Sequence, residues 1–193
     1  MVSSERRRLA ADDRRSQLLG IGLSKLVNKP IQDLSMDEVA AEAGISRGLL
    51  FHYFPTKTDF YVACTAAAGR RVLRNTAPDP TTPGSEQVSS MVRLMVGQID
   101  RRRAFYLSLV HGTGAGDARV ARVYESVRDV STDRVMQALA LDAGVRPLVH
   151  AWWAYVEDLA VTWSAEPPRR RKVDHDWVVG HAVDALRSLL ALS

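Results

Sequence analysis

Apolar residues in this chain recur three and four positions apart, the spacing of one face of an α-helix. No sustained period-two alternation interrupts them, and Asn-Gly and Asp-Gly hairpin pairs are absent. The pattern predicts an all-α fold of about nine helices. The first should run from about residue 12 to 27, with Leu18, Leu19, Leu23 and Leu26 as its apolar stripe. Gly20 and Gly22 fall inside it. Each lowers helix propensity by about 1 kcal/mol relative to Ala, and such glycines permit close packing of a second helix. Asn28 to Pro30 then breaks the pattern.

Two short helices should follow. Ser35, three residues before Glu38, has the form of a capping box, in which hydroxyl and carboxylate each take a backbone amide. Val39, Ala40 and Ala43 then face inward, and Gly44 ends the turn because glycine accepts the left-handed conformation. Ser46 can cap a second short helix that stops at Pro55, and Thr56 can cap a longer one reaching residue 74. Residues 75–84, "NTAPDPTTPG", read as a linker or long loop. Five more helices are expected beyond it, over about 85–101, 102–111, 117–141, 147–164 and 174–192.

Charge divides at the same place. Met1 to Asn75 hold 12 Lys+Arg against 8 Asp+Glu, and the remaining residues hold 14 of each. The whole net charge of +4 therefore sits in the first part, which suggests a polyanionic partner, although a solvated face of mixed charge would look the same. Arg6, Arg7 and Arg8 are read as a disordered basic arm or a solvated tail. No long apolar run follows them, so a signal peptide is not expected. The richest apolar stretch, 149–163, is interrupted by His150, Glu157 and Asp158, which argues against a membrane span. Cys64 is the only cysteine, so neither a disulfide framework nor a thiolate zinc site is expected, and a reducing cytoplasm fits.

Two capped short helices joined by "AGIS" form a helix-turn-helix pattern. Ala40 is small where the helices approach, Gly44 makes the turn and Ile45 plugs it, while the second helix is of a size to enter a major groove. Residues 35–60, "SMDEVAAEAGISRGLLFHYFPTKTDF", resemble the DNA-binding motif of the TetR family of bacterial transcriptional regulators. The positions that match are Ser35, Val39, Ala40, Ala43, Gly44, Ile45, Ser46, Leu50, Phe51, Tyr53, Phe54 and Lys57. The resemblance implies a helix-turn-helix domain over 1–55, a connecting helix over 56–74, and a ligand-binding and dimerisation domain over 75–193.

Residue roles follow from that resemblance. Ser35, Ser46, Tyr53 and Lys57 would hold phosphates. Arg47, Leu49 and His52 would face the groove, and Gly48 would let the backbone approach DNA. Phe51 departs from the family pattern, which has tyrosine there; a phosphate-binding hydroxyl is lost, leaving packing or a thymine-methyl contact. In the second part, Met91, Met95, Tyr106, His111, Tyr124, Trp152 and Tyr155 are candidates to line a pocket for a small apolar or aromatic ligand, or simply to fill the core. The stripes Val149, Trp152, Val156, Leu159, Trp163 and Val179, Val183, Leu186, Leu190 are candidates for a helical homodimer interface.

The expected function is a repressor that binds a palindromic operator as a dimer and is released by a ligand. Alternatives are an activator, a regulator that senses a protein and, more remotely, a helical enzyme. No catalytic residue, metal site or cofactor is expected. "GTGAGD" at residues 112–117 lacks the third glycine and the lysine of a phosphate loop, and no strand precedes it. Asp174 in "DHD" is more simply a helix cap than a metal ligand.

Overall fold

The structure is a computed structural model describing residues 2–26, 33–110 and 117–192, with side chains described over 12–26, 33–107 and 117–192. The break expected at Asn28–Pro30, the candidate His111 and most of the 112–117 loop lie outside these residues. Among the described residues there are nine α-helices and no strand. They are α1 (Val2–Leu26), α2 (Met36–Glu42), α3 (Arg47–Tyr53), α4 (Lys57–Asn75), α5 (Gly84–Arg101), α6 (Arg103–Val110), α7 (Ala118–Ala138), α8 (Arg146–Trp163) and α9 (His175–Ala191). None is long and apolar enough to cross a membrane.

Caps define most of the starts. The Ser35, Ser46 and Asp117 side chains accept amides at the N-termini of α2, α3 and α7. Thr56 and Asp59 make a fully reciprocal capping box on α4: the Asp59 amide donates to Thr56 Oγ1 at 3.0 Å, and the Thr56 amide donates to Asp59 Oδ2 at 3.1 Å. Asp174 accepts from the Trp177 amide at 2.8 Å, so the acidic cluster there caps α9. Two expectations change. The backbone of Arg6–Arg8 belongs to α1, which starts at Val2, so these residues do not form a disordered arm. The seventh helix stops at Ala138 rather than 141, because Ala140 turns left-handed at φ 49°.

Two apolar clusters hold the chain together. One gathers Leu18 and Leu26 of α1, Val39 of α2, Leu50 of α3 and Phe60 and Cys64 of α4, with Val120 of α7. The other packs Val92 and Met95 of α5, Trp152, Trp153 and Val156 of α8, and Val179 and Leu186 of α9. Each such large apolar side chain contributes roughly 1.5–3 kcal/mol on burial. Trp152 also donates its indole N–H to the Ala182 carbonyl at 2.8 Å, tying α8 to α9. The stripes expected to meet a second subunit are largely used here. Val149, Trp152, Val156, Val179, Val183 and Leu186 are buried within the protomer, and Leu159, Trp163 and Leu190 pack against the same core.

Helix α4 belongs to both clusters, through Phe60 and Cys64 at one end and Val72 at the other. It lies against α7 closely enough that a Cβ on Gly69 would approach Val127 to 2.9 Å. Polar ties reinforce that contact. Arg119 of α7 reaches Asp59 at 2.6 Å, and Arg134 donates to the Leu73 carbonyl at 2.8 Å.

Candidate nucleic-acid interface and interior cavity

The α2–α3 unit turns at Gly44, whose φ of +66° would strain any residue with a Cβ. The turn is closed by bonds from the Gly44 amide to the Ala41 carbonyl and from the Ile45 amide to the Ala40 carbonyl. Ile45 packs beneath it against the first cluster. Helix α3 is held by Leu50 and Phe54, four residues apart and essentially fully buried. Phe54 meets the edge of Phe60 at 4.9 Å between ring centroids.

The opposite face of α3 is open. Arg47, Gly48, Leu49 and His52 are exposed, Leu49 to 41%. A Cβ on Gly48 would meet nothing nearer than the Ser46 hydroxyl at 3.9 Å, so the fold itself does not require glycine there. Tyr53 is half-buried, its ring edge-on to His52 at 5.9 Å. Lys57, at the first turn of α4, is also half-buried. The Ser35 and Ser46 oxygens accept the Glu38 and Leu49 amides at 3.2 Å each, which leaves their hydroxyl hydrogens for another acceptor.

Arg47 is engaged on both sides. Its Nη1 donates to Asp37 of α2 at 2.9 and 3.1 Å, and the guanidinium lies over the Phe51 ring, 5.4 Å from the centroid. Phe51 itself packs half-buried on the first cluster. The ring that lacks the usual hydroxyl is therefore the platform under Arg47.

A separate cavity of about 80 Å³ lies among α4, α5, α6, α7 and α8. Its walls include Met95, Phe105, Val123 and Val127, and its polar groups are Thr65, Gln98, Arg102, Tyr106, Tyr124 and Glu157. Glu157, buried on α8, accepts from Tyr124 and from Arg128 Nη2, the latter at 2.7 Å. Tyr106 and Tyr124 share a hydrogen bond at 3.2 Å. Burial and the neighbouring Glu157 carboxylate push the Tyr124 phenol up to about 12, and the same causes raise Tyr106 further, so both stay protonated donors. Burial works against the charge of Arg128, but the adjacent Glu157 carboxylate outweighs it and raises the guanidinium's pKa.

Residues 26–64, from the end of α1 through the first half of α4, match the family described as bacterial regulatory proteins, tetR family. The chain belongs to the TetR family of transcriptional regulators. The transcriptional activator FasR of Mycolicibacterium smegmatis is 25% identical over 145 residues, 72% of this chain and 64% of that relative, so the chain spans just under two thirds of the relative's length. EthR of Mycobacterium tuberculosis is 40% identical over 50 residues, 26% of this chain and 23% of the relative. A tetR-family regulator from Streptomyces coelicolor superposes with a TM-score of 0.81 at 24% identity, covering 94% of this chain and 82% of that one.

In this TetR-family chain the nine residues expected at DNA gather on and around α3. The seven expected at a pocket do not stay together. Met95, Tyr106 and Tyr124 line the cavity. Met91 and Trp152 are spent in the core, and Tyr155 is on the outer face of α8, 38% exposed and 6.2 Å from the His181 ring. The physical reason is rotation around the helix: Tyr155 is three residues past Trp152, but on the far side of the stripe that meets α9. Thr65, Gln98 and Glu157 were missed. Gln98 follows Met95 by three on the inward face of α5, and Thr65 follows Tyr61 by four on α4; a polar residue in an apolar stripe is the signal that could have found both.

Proposed function

We propose that the protein is a ligand-responsive, sequence-specific repressor that binds a palindromic operator as a homodimer. The observation that carries this reading is the division of α3 into buried anchors, Leu50 and Phe54, and an open face of Arg47, Gly48, Leu49 and His52. In this reading residues 1–55 dock on DNA, 56–74 connect, and 75–193 bind effector and partner. Leu49 touches a thymine methyl, His52 meets base or phosphate, and Arg47 exchanges Asp37 for a guanine edge. Ser35, Ser46, Tyr53 and Lys57 hold phosphates, and Phe51 contributes its packing and its contact with Arg47.

The outer face of α8 and α9 supports a twofold partner. Trp177 is 49% exposed and stacks on His181 at 4.8 Å, beside exposed Tyr155, and a Cβ on Gly180 would meet only open space. Two such faces can close on each other in an isologous contact. The cavity supports an effector site, because α4 both walls it, through Thr65, Gly69 and Val72, and begins at Lys57. A ligand that displaces α4 would alter the spacing of the two α3 helices, with a coupling of about 1–3 kcal/mol. Activation is the second reading, favoured by the activator FasR among the relatives.

Selection of bound fragments from a randomised duplex pool tests the main reading. An inverted repeat with half-site centres about one or slightly more DNA turns apart, ~34 Å or beyond, is expected. No enrichment, or enrichment of a single unrepeated half-site, would defeat it. Lys57→Ala should weaken binding to all sequences and reduce the salt slope by about 1.

A further inference from the structure

The interior cavity holds polar atoms that the fold leaves without partners. Thr65 is 1% and Gln98 7% exposed, and both line the cavity. Thr65 Oγ1, Gln98 Oε1 and Gln98 Nε2 have no hydrogen-bond partner. A buried amide with both ends unpaired is costly, and native interiors seldom keep one without a reason.

The charged groups nearby are in a different condition. Glu157 is already met by Arg128 and Tyr124, and Tyr106 bonds to Tyr124. Apart from the half-buried Arg102, the hydrogen-bonding capacity still open is therefore neutral and lies on buried side chains: an amide donor and acceptor side by side on Gln98, and one hydroxyl on Thr65. A carboxylate placed against Gln98 would meet the Glu157 charge in the same cavity; Arg128 is already committed to Glu157, and Arg102 lines the cavity where it adjoins a neighbouring recess shared with Arg71. A hydrocarbon end would leave all three atoms unpaired. A carboxamide or lactam presents a donor and an acceptor in the same side-by-side arrangement and can pair with the Gln98 amide through two bonds.

Size sets the orientation. A cavity of about 80 Å³ accepts only a few non-hydrogen atoms. Ala68, Arg102 and Phe105 also line a neighbouring recess of about 260 Å³ that reaches Leu23 and Ser24 of α1 and Arg71 of α4. The rest of the molecule would lie there. We infer that the effector is a small, elongated, mostly apolar molecule that inserts a neutral carboxamide or lactam end against Gln98 and Thr65.

This inference rests on the cavity being the effector site, so it is tested on the full chain without DNA. Hexanamide, ε-caprolactam, hexanoate and methyl hexanoate are compared by thermal shift and by calorimetric titration. The amide and lactam should bind at least tenfold more tightly than the anion and the acceptor-only ester. Gln98→Leu, which removes the unpaired amide at similar volume, should melt higher than wild type in the absence of ligand and lose the amide preference. Thr65→Val should weaken amide binding several-fold while keeping its rank above hexanoate. Equal or tighter binding of hexanoate, no amide binding up to its solubility limit, or an amide preference that survives Gln98→Leu would each overturn the inference. Operator binding is measured separately, so a protein that selects an inverted repeat yet ignores amides would lose this inference and keep the reading as a regulator.

Discussion

Gly20 and Gly22 lie two residues apart on α1, and replacing each by alanine should change stability in opposite directions. At Gly20, which is exposed, a Cβ would meet nothing within 4 Å. Gly20→Ala should therefore yield the ordinary helix-propensity gain of about 1 kcal/mol. At Gly22 a Cβ would stand 2.5 Å from Phe60 Cζ and 2.6 Å from Cys64 Sγ. Both side chains are completely buried, and the Phe60 ring is held edge-on by Phe54. Neither can give way without moving α4 from α1. Overpacking costs about 1–3 kcal/mol, and contacts this short with fixed side chains put Gly22→Ala in the upper part of that range, about 2–3 kcal/mol, so after the propensity gain the net loss should be ~1–2 kcal/mol. The two variants should then differ by roughly 2–3 kcal/mol. Urea unfolding followed by circular dichroism, at one fixed protomer concentration, measures this directly. Adding Phe60→Leu, which removes the nearest ring atom, should shrink the cost of Gly22→Ala in a double-mutant cycle. A Gly22→Ala protein as stable as wild type would refute the close α1–α4 contact.

Other expectations follow from individual contacts. Asp37→Ala frees Arg47 from its carboxylate partner and should tighten non-specific DNA binding, read as a steeper salt dependence in a mobility-shift titration; unchanged binding would mean that Arg47 does not reach DNA. Asp59 is held below the usual carboxylate range, chiefly by the hydrogen bond from Arg119 and then by Thr56. Its contribution to stability is present above its unfolded value near ~3.9 and is lost as pH falls through the lower folded value. Asp59→Asn should therefore show a smaller drop in urea midpoint between pH 5 and pH 3 than wild type. Burial pushes the Cys64 thiol up to about 12, so iodoacetamide should label it only under unfolding conditions; rapid native labelling would contradict its packing. Ala140→Gly relieves a left-handed alanine and should raise stability by about 1 kcal/mol in the same urea assay.

The helix-turn-helix was legible because its chemistry is local. Ser35, Gly44 and Ser46 act on amides within three residues or on their own φ, and Leu50 and Phe54 fall on one helix face by spacing alone. The ends of α2 and α7 show the limit of that logic. The Gly44 and Ala140 turns close with the same pair of bonds, the second from the Ala140 amide to Gln137 and the Leu141 amide to Met136. Glycine announces such a turn because it lacks a Cβ. Alanine does not, and its left-handed conformation is held by the packing of Leu139 and Leu141 against the second cluster.

Sequence alone therefore determined the helical class, the turn at Gly44, the inward sense of Leu50 and Phe54 and the outward sense of Arg47, Leu49 and His52, since these depend on contacts three or four residues apart; Tyr53, expected to look outward, is half-buried against the first cluster. Tertiary structure alone decided that Trp152 faces the core while Tyr155 faces out, and that Gly22 rather than Gly20 is the point of close approach. It also brought Thr65, Gln98 and Glu157 from three helices to one cavity and set Arg47 between Asp37 and Phe51. Each of these depends on how one helix is rotated and placed against another, and that choice is made by the summed packing of residues far apart in the chain.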